Sequence, residues 1–271
     1  MGNSAHRTAL LSAEPSYTSP GGASEIRMLL QRPEGELTHS RCPAHHSSQP
    51  ATVDHTIEMF FVLAGRGFLW RSLGDSEDVV ELRRGRAALI PEVVRFQYRS
   101  ETDLVFMVAT LPQWKPENWR EVEGGPWQPG ATSAAMPVES AQRHWPVMDL
   151  KRLPDYVAPD GSQIRLLTAH AQGGLAHCAL APGQISAPVR HRTIAEIWFT
   201  LAGHGTLWRL DGEGQESLTE LHYGVEVEIT PQTSFQFRST GDLDLEVLLL
   251  TIPAWPGPAE AEPVERGYWP V

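Results

Sequence analysis

The sequence has few of the features that mark exported, membrane-spanning or disulfide-stabilised proteins. It contains only two cysteines, Cys42 and Cys178, which is too few for a disulfide framework or a cysteine-rich zinc site. No apolar run reaches the roughly 18 residues of a transmembrane helix, and the N terminus lacks the basic and apolar regions of a signal peptide. We therefore predict a cytoplasmic protein that does not bind a membrane and whose thiols are buried.

The chain also has little positive charge. Its 22 Lys and Arg residues stand against 33 Asp and Glu residues, which gives a formal net charge of -11. The densest cationic stretch, LRRGR at residues 82–86, is typical of a solvated turn between strands. Because nucleic-acid binding needs clustered Lys and Arg, we expect no nucleic-acid partner. The 41% of residues that are hydrophobic are enough for one large or two modest cores.

What the sequence does contain is a long internal repeat. Residues 24–71 align with residues 162–209 without a gap. Further along, FQYRS matches FQFRS and TLPQW matches TIPAW. A repeat of this length indicates a tandem duplication of a whole domain. Identical pairs in the alignment include Ile26/Ile164, Arg27/Arg165, His39/His177, Glu58/Glu196, Gly65/Gly203, Trp70/Trp208 and Arg71/Arg209.

Within each copy the apolar residues follow a strand-like pattern. EMFFVL and EIWFTL, at residues 58–63 and 196–201, are rich in aromatic and β-branched residues, and other apolar runs end at Pro or at Gly turns. Short strands with such punctuation predict an all-β sandwich or barrel. We predict an N-terminal arm at residues 1–20, a first barrel at 21–127, a linker at 128–150 and a second barrel at 151–271.

The sequence around the repeated Glu resembles the first motif of the cupin superfamily. In the second copy, His191 is followed by four residues, Glu196, six residues and Gly203, and FQFRS after Gly224 and Pro231 is similar to the second cupin motif. The resemblance implies two tandem jelly-roll (cupin) β-barrels, hence a bicupin, and the second copy resembles small bacterial cupins. It also implies a homodimer and a divalent transition metal, Fe, Mn, Zn or Ni, held in the barrel by three His and one Glu.

Two positions of the second copy depart from the cupin pattern. Val189 and Phe235 occupy positions where cupins carry a metal-binding His, so that His191 and Glu196 remain. Two protein ligands are too few to hold a divalent ion against water. His177, on the preceding strand, supplies a third ligand if that strand turns it inward. We therefore expect His177, His191 and Glu196 as metal ligands, a set typical of oxygen-activating iron sites.

The first copy retains less of this set. Glu58 is kept, but Val53 replaces the His, and the nearby His55 lies at a different spacing from the Glu. The candidates in the first barrel are His39, His55 and Glu58. The alternative for His39 and His177 is a structural role, as half-buried residues hydrogen-bonded to the repeated Glu or to the backbone.

Aromatic residues accompany the repeated Glu in both copies. Phe60 and Trp198 lie two residues after it, on the same face of the strand. Phe96 and Phe235 replace the usual metal-binding His. If that face is interior, both barrels have aromatic pockets suited to an apolar or planar ligand. The alternative is that these rings simply fill the barrels.

These observations favour an enzyme that acts on a small organic molecule inside the second barrel, with Glu196 and His177 as catalytic residues. With a metal it would be an oxygenase or a Lewis-acid isomerase. Without one, His and Glu would transfer a proton in an isomerisation or cyclisation. Metal-free ligand binding and a structural bicupin without catalysis are the alternatives. The repeated Glu can also belong to a structural ion pair with one of the repeated Arg residues, Arg27/Arg165 or Arg71/Arg209.

Overall fold

A computed structural model describes residues 6–129 and 137–271. In these residues the regular structure consists of β-strands and two short 3-10 helices, Pro116–Asn118 and Pro258–Glu260. No helix in this part of the chain is long and apolar enough to cross a membrane. Residues 1–5 of the predicted arm and residues 130–136 of the predicted linker lie outside the described residues.

The chain forms two compact units. The first unit consists of residues 12–150. The second consists of residues 151–271 together with the N-terminal segment that ends at Leu11. The limits of arm, barrels and linker that the sequence suggests remain a prediction.

The first unit contains two antiparallel sheets. The first strand of the chain, β1 (Thr8–Leu10), belongs to the second unit. The strands of the first unit are β2 (Tyr17–Thr18), β3 (Glu25–Arg32), β4 (Gly35–Cys42), β5 (Ala51–Val53), β6 (Ile57–Ala64), β7 (Arg66–Leu73), β8 (Ser76–Arg83), β9 (Arg86–Ile90), β10 (Arg95–Ser100), β11 (Leu104–Leu111), β12 (Trp119–Glu121) and β13 (Val147–Asp149). Seven strands form one sheet in the order β13-β9-β6-β11-β4-β3-β2, and five form the other in the order β12-β5-β10-β7-β8.

The second unit has the same strand plan. Its strands, besides β1, are β14 (Tyr156–Val157), β15 (Gln163–His170), β16 (Gly173–Leu180), β17 (Val189–His191), β18 (Ala195–Ala202), β19 (Gly205–Leu210), β20 (Glu216–Leu221), β21 (Val225–Ile229), β22 (Ser234–Ser239), β23 (Leu245–Ile252) and β24 (Ala261–Pro263). The sheet orders are β1-β21-β18-β23-β16-β15-β14 and β20-β19-β22-β17-β24.

Each unit has a hydrophobic core to which both of its sheets contribute. Alternate residues of a strand point to opposite faces, so one face of every strand can line the interior. The first core includes Phe60 and Phe106 from one sheet and Leu69 and Tyr98 from the other. The second includes Trp198, Leu249, Leu207 and Phe237. The all-β fold of jelly-roll type expected from the sequence is confirmed, and Cys42 and Cys178 are buried free thiols, as predicted.

The strand registers fix which residues of the two copies are equivalent beyond the gapless part of the repeat. Phe106 of β11 lies opposite Ser40 of β4, and Val247 of β23 lies opposite Cys178 of β16. Ser40 and Cys178 occupy the same position of the repeat. Phe106 and Val247 are therefore structural counterparts.

Equivalent short strands complete the larger sheet of each unit. β1 pairs with β21 through Thr8 and Val227, and β13 pairs with β9 through Val147 and Ala88. Thus the edge strand of the second unit comes from the start of the chain, whereas the edge strand of the first unit comes from the segment just before the second copy.

The repeated Arg of the LWR motif binds the segment next to this edge strand. Arg71 donates hydrogen bonds to the carbonyl oxygens of Trp145 and Pro146 at 3.3 and 3.4 Å. Arg209 donates to the carbonyl oxygen of Arg7 at 3.0 Å. Both guanidinium groups are fully buried. The shared motif is therefore architectural.

The ion-pair alternative for the repeated Glu does not hold among the described residues. Arg71 pairs with Asp78 instead, through two hydrogen bonds of 2.9 Å. Arg27 donates to the carbonyl oxygens of residues 12 and 13, and Arg165 to those of residues 151 and 152. The repeated Glu is thus left without a cationic Arg partner in either copy.

Candidate functional site

The barrel of the second unit contains a cavity of about 300 Å³. Most of its wall is apolar and includes Tyr156, Leu167, Trp198, Phe235, Leu249 and Trp255. A few polar side chains also reach it, namely Asp160, Ser162, His191, Glu196 and Thr251. An apolar cavity of this size with a few convergent polar groups is the usual form of a small-molecule site. Trp198 and Phe235, expected from the sequence as pocket residues, line it.

His191 and Glu196 face one another at the wall of this cavity. His191 is the last residue of β17, and Glu196 is the second residue of β18. Nδ1 of His191 lies 3.8 Å from Oε2 of Glu196, which is too long for a hydrogen bond. This buried Nδ1 has no hydrogen-bond partner among the described residues. Edge-to-face contacts with Phe235 and Trp255, at ring distances of 5.0 and 5.3 Å, hold the imidazole ring in place.

Glu196 is held by the aromatic residue on the same face of its strand. Nε1 of Trp198 donates a hydrogen bond of 2.7 Å to Oε2 of Glu196. Burial raises the pKa of the Glu196 carboxyl, although the neighbouring His191 and this hydrogen bond act in the opposite direction. The carboxyl therefore keeps its proton to a higher pH than an exposed Glu does.

Asp160 is a site residue that the sequence analysis missed. It lies in the loop before β15, and its Oδ1 accepts hydrogen bonds from the backbone N and the Oγ of Ser162 at 2.9 and 2.7 Å. Burial raises the pKa of Asp160 as well. Its counterpart in the first copy is Gly21, because the carbonyl oxygens of Gly21 and Asp160 accept equivalent hydrogen bonds from the backbone N of Gln49 and Ala187. This gain of a carboxylate in one copy was the available signal.

His177 does not join His191 and Glu196. Its neighbours Ala176 and Cys178 line the cavity, so the alternation of β16 turns His177 to the opposite face of the sheet. There its Nε2 lies 3.1 Å from Oε2 of Glu246. The structure therefore does not assemble the expected ligand set, and the expected catalytic role of His177 has no support from its position. Of the two interpretations of this His, the structural one fits its surroundings.

The residues present do not fit the metal centre that the cupin resemblance implies. With His177 on the other face, His191 and Glu196 are the members of the expected ligand set left at the cavity, and two protein ligands do not hold a divalent ion against water. Within residues 6–129 and 137–271, no group of three or more His, Cys, Asp or Glu side chains is arranged to hold a metal ion.

The first barrel has a much smaller cavity, of about 90 Å³. Aromatic rings occupy its interior: Phe106 contacts Phe60 and Tyr98 at ring distances of 4.9 and 5.7 Å. Phe96 meets Phe60 edge to face. Glu58 lines this cavity, and burial raises its pKa to about 7. The aromatic residues of this copy therefore fill the barrel.

The two His candidates of the first barrel lie away from Glu58. Thr38 and Ser40 line the cavity, so His39 between them lies on the other face of β4. Burial and the charge of Arg27 lower the pKa of His39 to about 4. His55 is exposed in a turn with a positive φ of 58°. The expected set of His39, His55 and Glu58 is not assembled.

The fold that carries this site is similar to that of several solved structures. Oxalate decarboxylase from Bacillus subtilis matches 94% of this chain and 78% of its own chain, with a TM-score of 0.73 and 10% sequence identity. The coconut allergen cocosin matches 90% of this chain and 85% of its own, with a TM-score of 0.70 and 12% identity. Procruciferin, an 11S globulin from Brassica napus, matches 94% and 84%, with a TM-score of 0.69 and 12% identity.

The chain has the cupin fold. At these identities the likeness extends to the fold alone. No protein-family model matches the chain, and no curated protein matches it. Because cupin folds carry many unrelated functions, the function has to be argued from the site itself.

Proposed function

We propose that the second barrel binds a small organic molecule in its cavity and that His191 and Glu196 transfer a proton to or from it without a metal, as in an isomerisation or cyclisation. The observation that carries this proposal is the buried Nδ1 of His191, which has no hydrogen-bond partner among the described residues and faces Glu196 at the cavity wall. Buried polar atoms are normally satisfied. An unsatisfied one beside a ligand-sized cavity therefore points to a bound group.

The spacing of the two side chains suits one bridging oxygen atom. An atom about 2.8 Å from both Nδ1 of His191 and Oε2 of Glu196 makes two good hydrogen bonds across the 3.8 Å gap. A hydroxyl or carbonyl oxygen of the ligand meets this requirement. A carboxyl group with a raised pKa can act as the acid of the pair, and the imidazole can act as its base.

The fold neighbours do not decide between catalysis and binding. Oxalate decarboxylase is named as an enzyme, whereas cocosin is named as an allergen and procruciferin as a globulin. Binding without catalysis is therefore the second candidate. The preorganised aromatic wall favours it, since Trp198 contacts Phe235 and Phe237 edge to face at 5.5 and 5.1 Å.

Exchange of carbon-bound hydrogen for deuterium tests the proposal without knowledge of the natural substrate. The protein is incubated in deuterated buffer with cyclohexanone or 2-methylcyclohexanone, and exchange next to the carbonyl is followed by NMR. We expect exchange faster than in buffer, and a fall of about 100-fold or more in His191→Ala and Glu196→Gln, the usual contribution of general acid–base catalysis.

The first barrel supplies matched controls. Glu58→Gln changes the equivalent carboxyl, and His39→Ala removes an imidazole that lies away from either cavity, so both variants should exchange as fast as the parent. Exchange that is unchanged in His191→Ala contradicts the proposal. Binding of the ketones without any exchange above that of buffer favours the binding-only alternative.

A further inference from the structure

The cavity of the second barrel lacks positive charge. Among the described residues that line it, none is Lys or Arg. Its ionisable side chains include Asp160, Glu196 and His191. A third carboxylate, Glu260, lies close enough to act on Glu196 and disfavours its ionisation. A charged ligand would therefore meet carboxyl groups and one imidazole in this cavity, but no Lys or Arg side chain from the part of the chain that the structure describes.

This distribution of charge disfavours an anionic ligand. A carboxylate or phosphate loses its hydration when it enters an apolar cavity, and proteins offset that cost with Arg, Lys, a metal or several N–H donors. Here such an ion would meet two acids, Asp160 and Glu196, which supply no positive charge in either protonation state, and no Lys or Arg among the described residues that line the cavity. A small dicarboxylate is therefore a poor match for this site.

The burial of the two acids also disfavours a cationic ligand. The hydrogen bonds that Asp160 accepts from Ser162 and that Glu196 accepts from Trp198 favour the ionised forms, but burial outweighs them. Burial raises the pKa of both carboxyl groups, which favours their neutral forms. An ammonium group buried in this cavity needs an ionised carboxylate free to pair with it, and neither acid is placed to offer one without cost.

We propose that the ligand of this cavity is an uncharged, mostly apolar molecule with one hydroxyl or carbonyl oxygen that lies between His191 and Glu196. Its apolar body packs against the aliphatic and aromatic wall, including Leu167, Leu249 and Trp255. The inference rests on the proposed function, since it assigns a substrate class to the same site.

Three ligands that share a ring and differ only in charge test this assignment. Cyclohexanemethanol is neutral, cyclohexanecarboxylate is anionic at pH 7, and cyclohexanemethylamine is cationic at pH 7. Binding of each to the full-length protein is measured by calorimetry, with the quenching of tryptophan fluorescence as a second readout, because Trp198 and Trp255 line the cavity. We expect the alcohol to bind at least tenfold more tightly than either ion.

Two variants test whether the alcohol binds in the cavity of the second barrel. Val247→Phe introduces the side chain that Phe106 contributes to the wall of the smaller cavity of the first barrel, at a position that is buried in the core of the second. We expect this variant to stay folded and to lose the alcohol. His191→Ala should remove most of the advantage of the alcohol over the two ions, because the imidazole is one of the two partners of its oxygen.

The outcomes separate this inference from the proposed function. If the carboxylate or the amine binds as tightly as the alcohol in the parent and is lost in Val247→Phe, the cavity is a ligand site but its preference for uncharged molecules is wrong. If none of the three binds, or if Val247→Phe binds them like the parent, the cavity is not the ligand site and both proposals fail.

Discussion

The two barrels share one strand plan, yet the cavity of the first is about 90 Å³ and that of the second about 300 Å³. Three counterpart positions that face the interior favour the larger cavity in the second barrel, whereas Trp198 and Leu249 are larger than their counterparts Phe60 and Val108. Glu36, Thr38 and Phe106 of the first barrel correspond to Gly174, Ala176 and Val247 of the second. Each replacement removes side-chain volume, so the space for a ligand arises without any change of backbone plan.

The two barrels also differ in the ionisable side chains near the repeated Glu. The second barrel has His191 and Asp160 where the first has Val53 and Gly21. The repeated Glu is buried in both barrels, but only Glu196 has a base beside it. One copy thus has a His beside the buried Glu in a cavity of about 300 Å³, whereas in the other copy Glu58 lines a cavity of about 90 Å³ together with a second buried carboxyl, Glu36.

The largest expected difference between the barrels concerns the repeated buried Arg. Arg71 pairs with the fully buried Asp78, so Arg71→Met leaves an uncompensated charge and should lower the free energy of unfolding by about 3–5 kcal/mol. Arg209 instead bonds two carbonyl oxygens and the hydroxyls of Thr8 and Thr219. Arg209→Met should cost less, about 1–3 kcal/mol.

Urea unfolding followed by circular dichroism measures both changes. The double variant Arg71→Met/Asp78→Leu is the control, because removal of both charges should recover part of the loss. Equal costs for Arg71→Met and Arg209→Met would show that the ion pair does not distinguish the two copies.

The second expected effect concerns Glu58, the repeated carboxyl of the first barrel. Burial raises the pKa of Glu58 in the folded protein to about 7 from an ordinary value of 4.5. The stability that its protonated form contributes is fully present below pH 4.5 and is lost as the pH rises through 7. This difference corresponds to about 3 kcal/mol. Because an amide stays neutral, Glu58→Gln should match the parent at pH 4 and be more stable by up to that amount at pH 8.

Unfolding curves at several pH values between 4 and 8 measure this effect as the difference between variant and parent. The exposed Glu77→Gln is the matched control and should show no such trend. A difference for Glu58→Gln that does not change with pH would mean that this carboxyl has the same pKa in the folded and unfolded protein, contrary to the effect of its burial.

The smallest expected effect on the cavity is that of His177→Ala. The partner of His177, Glu246, has a side chain that is 39% exposed, and such partly solvated pairs contribute about 0–1 kcal/mol. We expect the loss of the pair to lower the free energy of unfolding by that amount and the loss of the buried ring to lower it further, with no change in the affinity for cyclohexanemethanol, in contrast to His191→Ala. A large loss of affinity in His177→Ala would show that His177 contributes to ligand binding.

The sequence was sufficient for the fold and for part of the site. The repeat and the strand pattern predicted an all-β jelly roll, and Trp198 and Phe235 line the cavity as expected. It misplaced His177 because every residue of β16 is buried, so the alternation of apolar and polar residues that normally marks the inner face is absent there. Asp160 was missed because a loop position becomes part of a site only through the folded path of the chain.

The edge strand β1 separates the unit of duplication from the unit of folding. The second copy of the repeat, cut out as residues 151–271, would lack the strand that pairs with β21 and two of the groups that Arg209 binds, the carbonyl oxygen of Arg7 and the hydroxyl of Thr8. A variant in which residues 6–11 are fused to residues 151–271 would restore both the strand and these hydrogen bonds. The boundary that matters for dissecting this protein is therefore not the boundary that its sequence repeat displays.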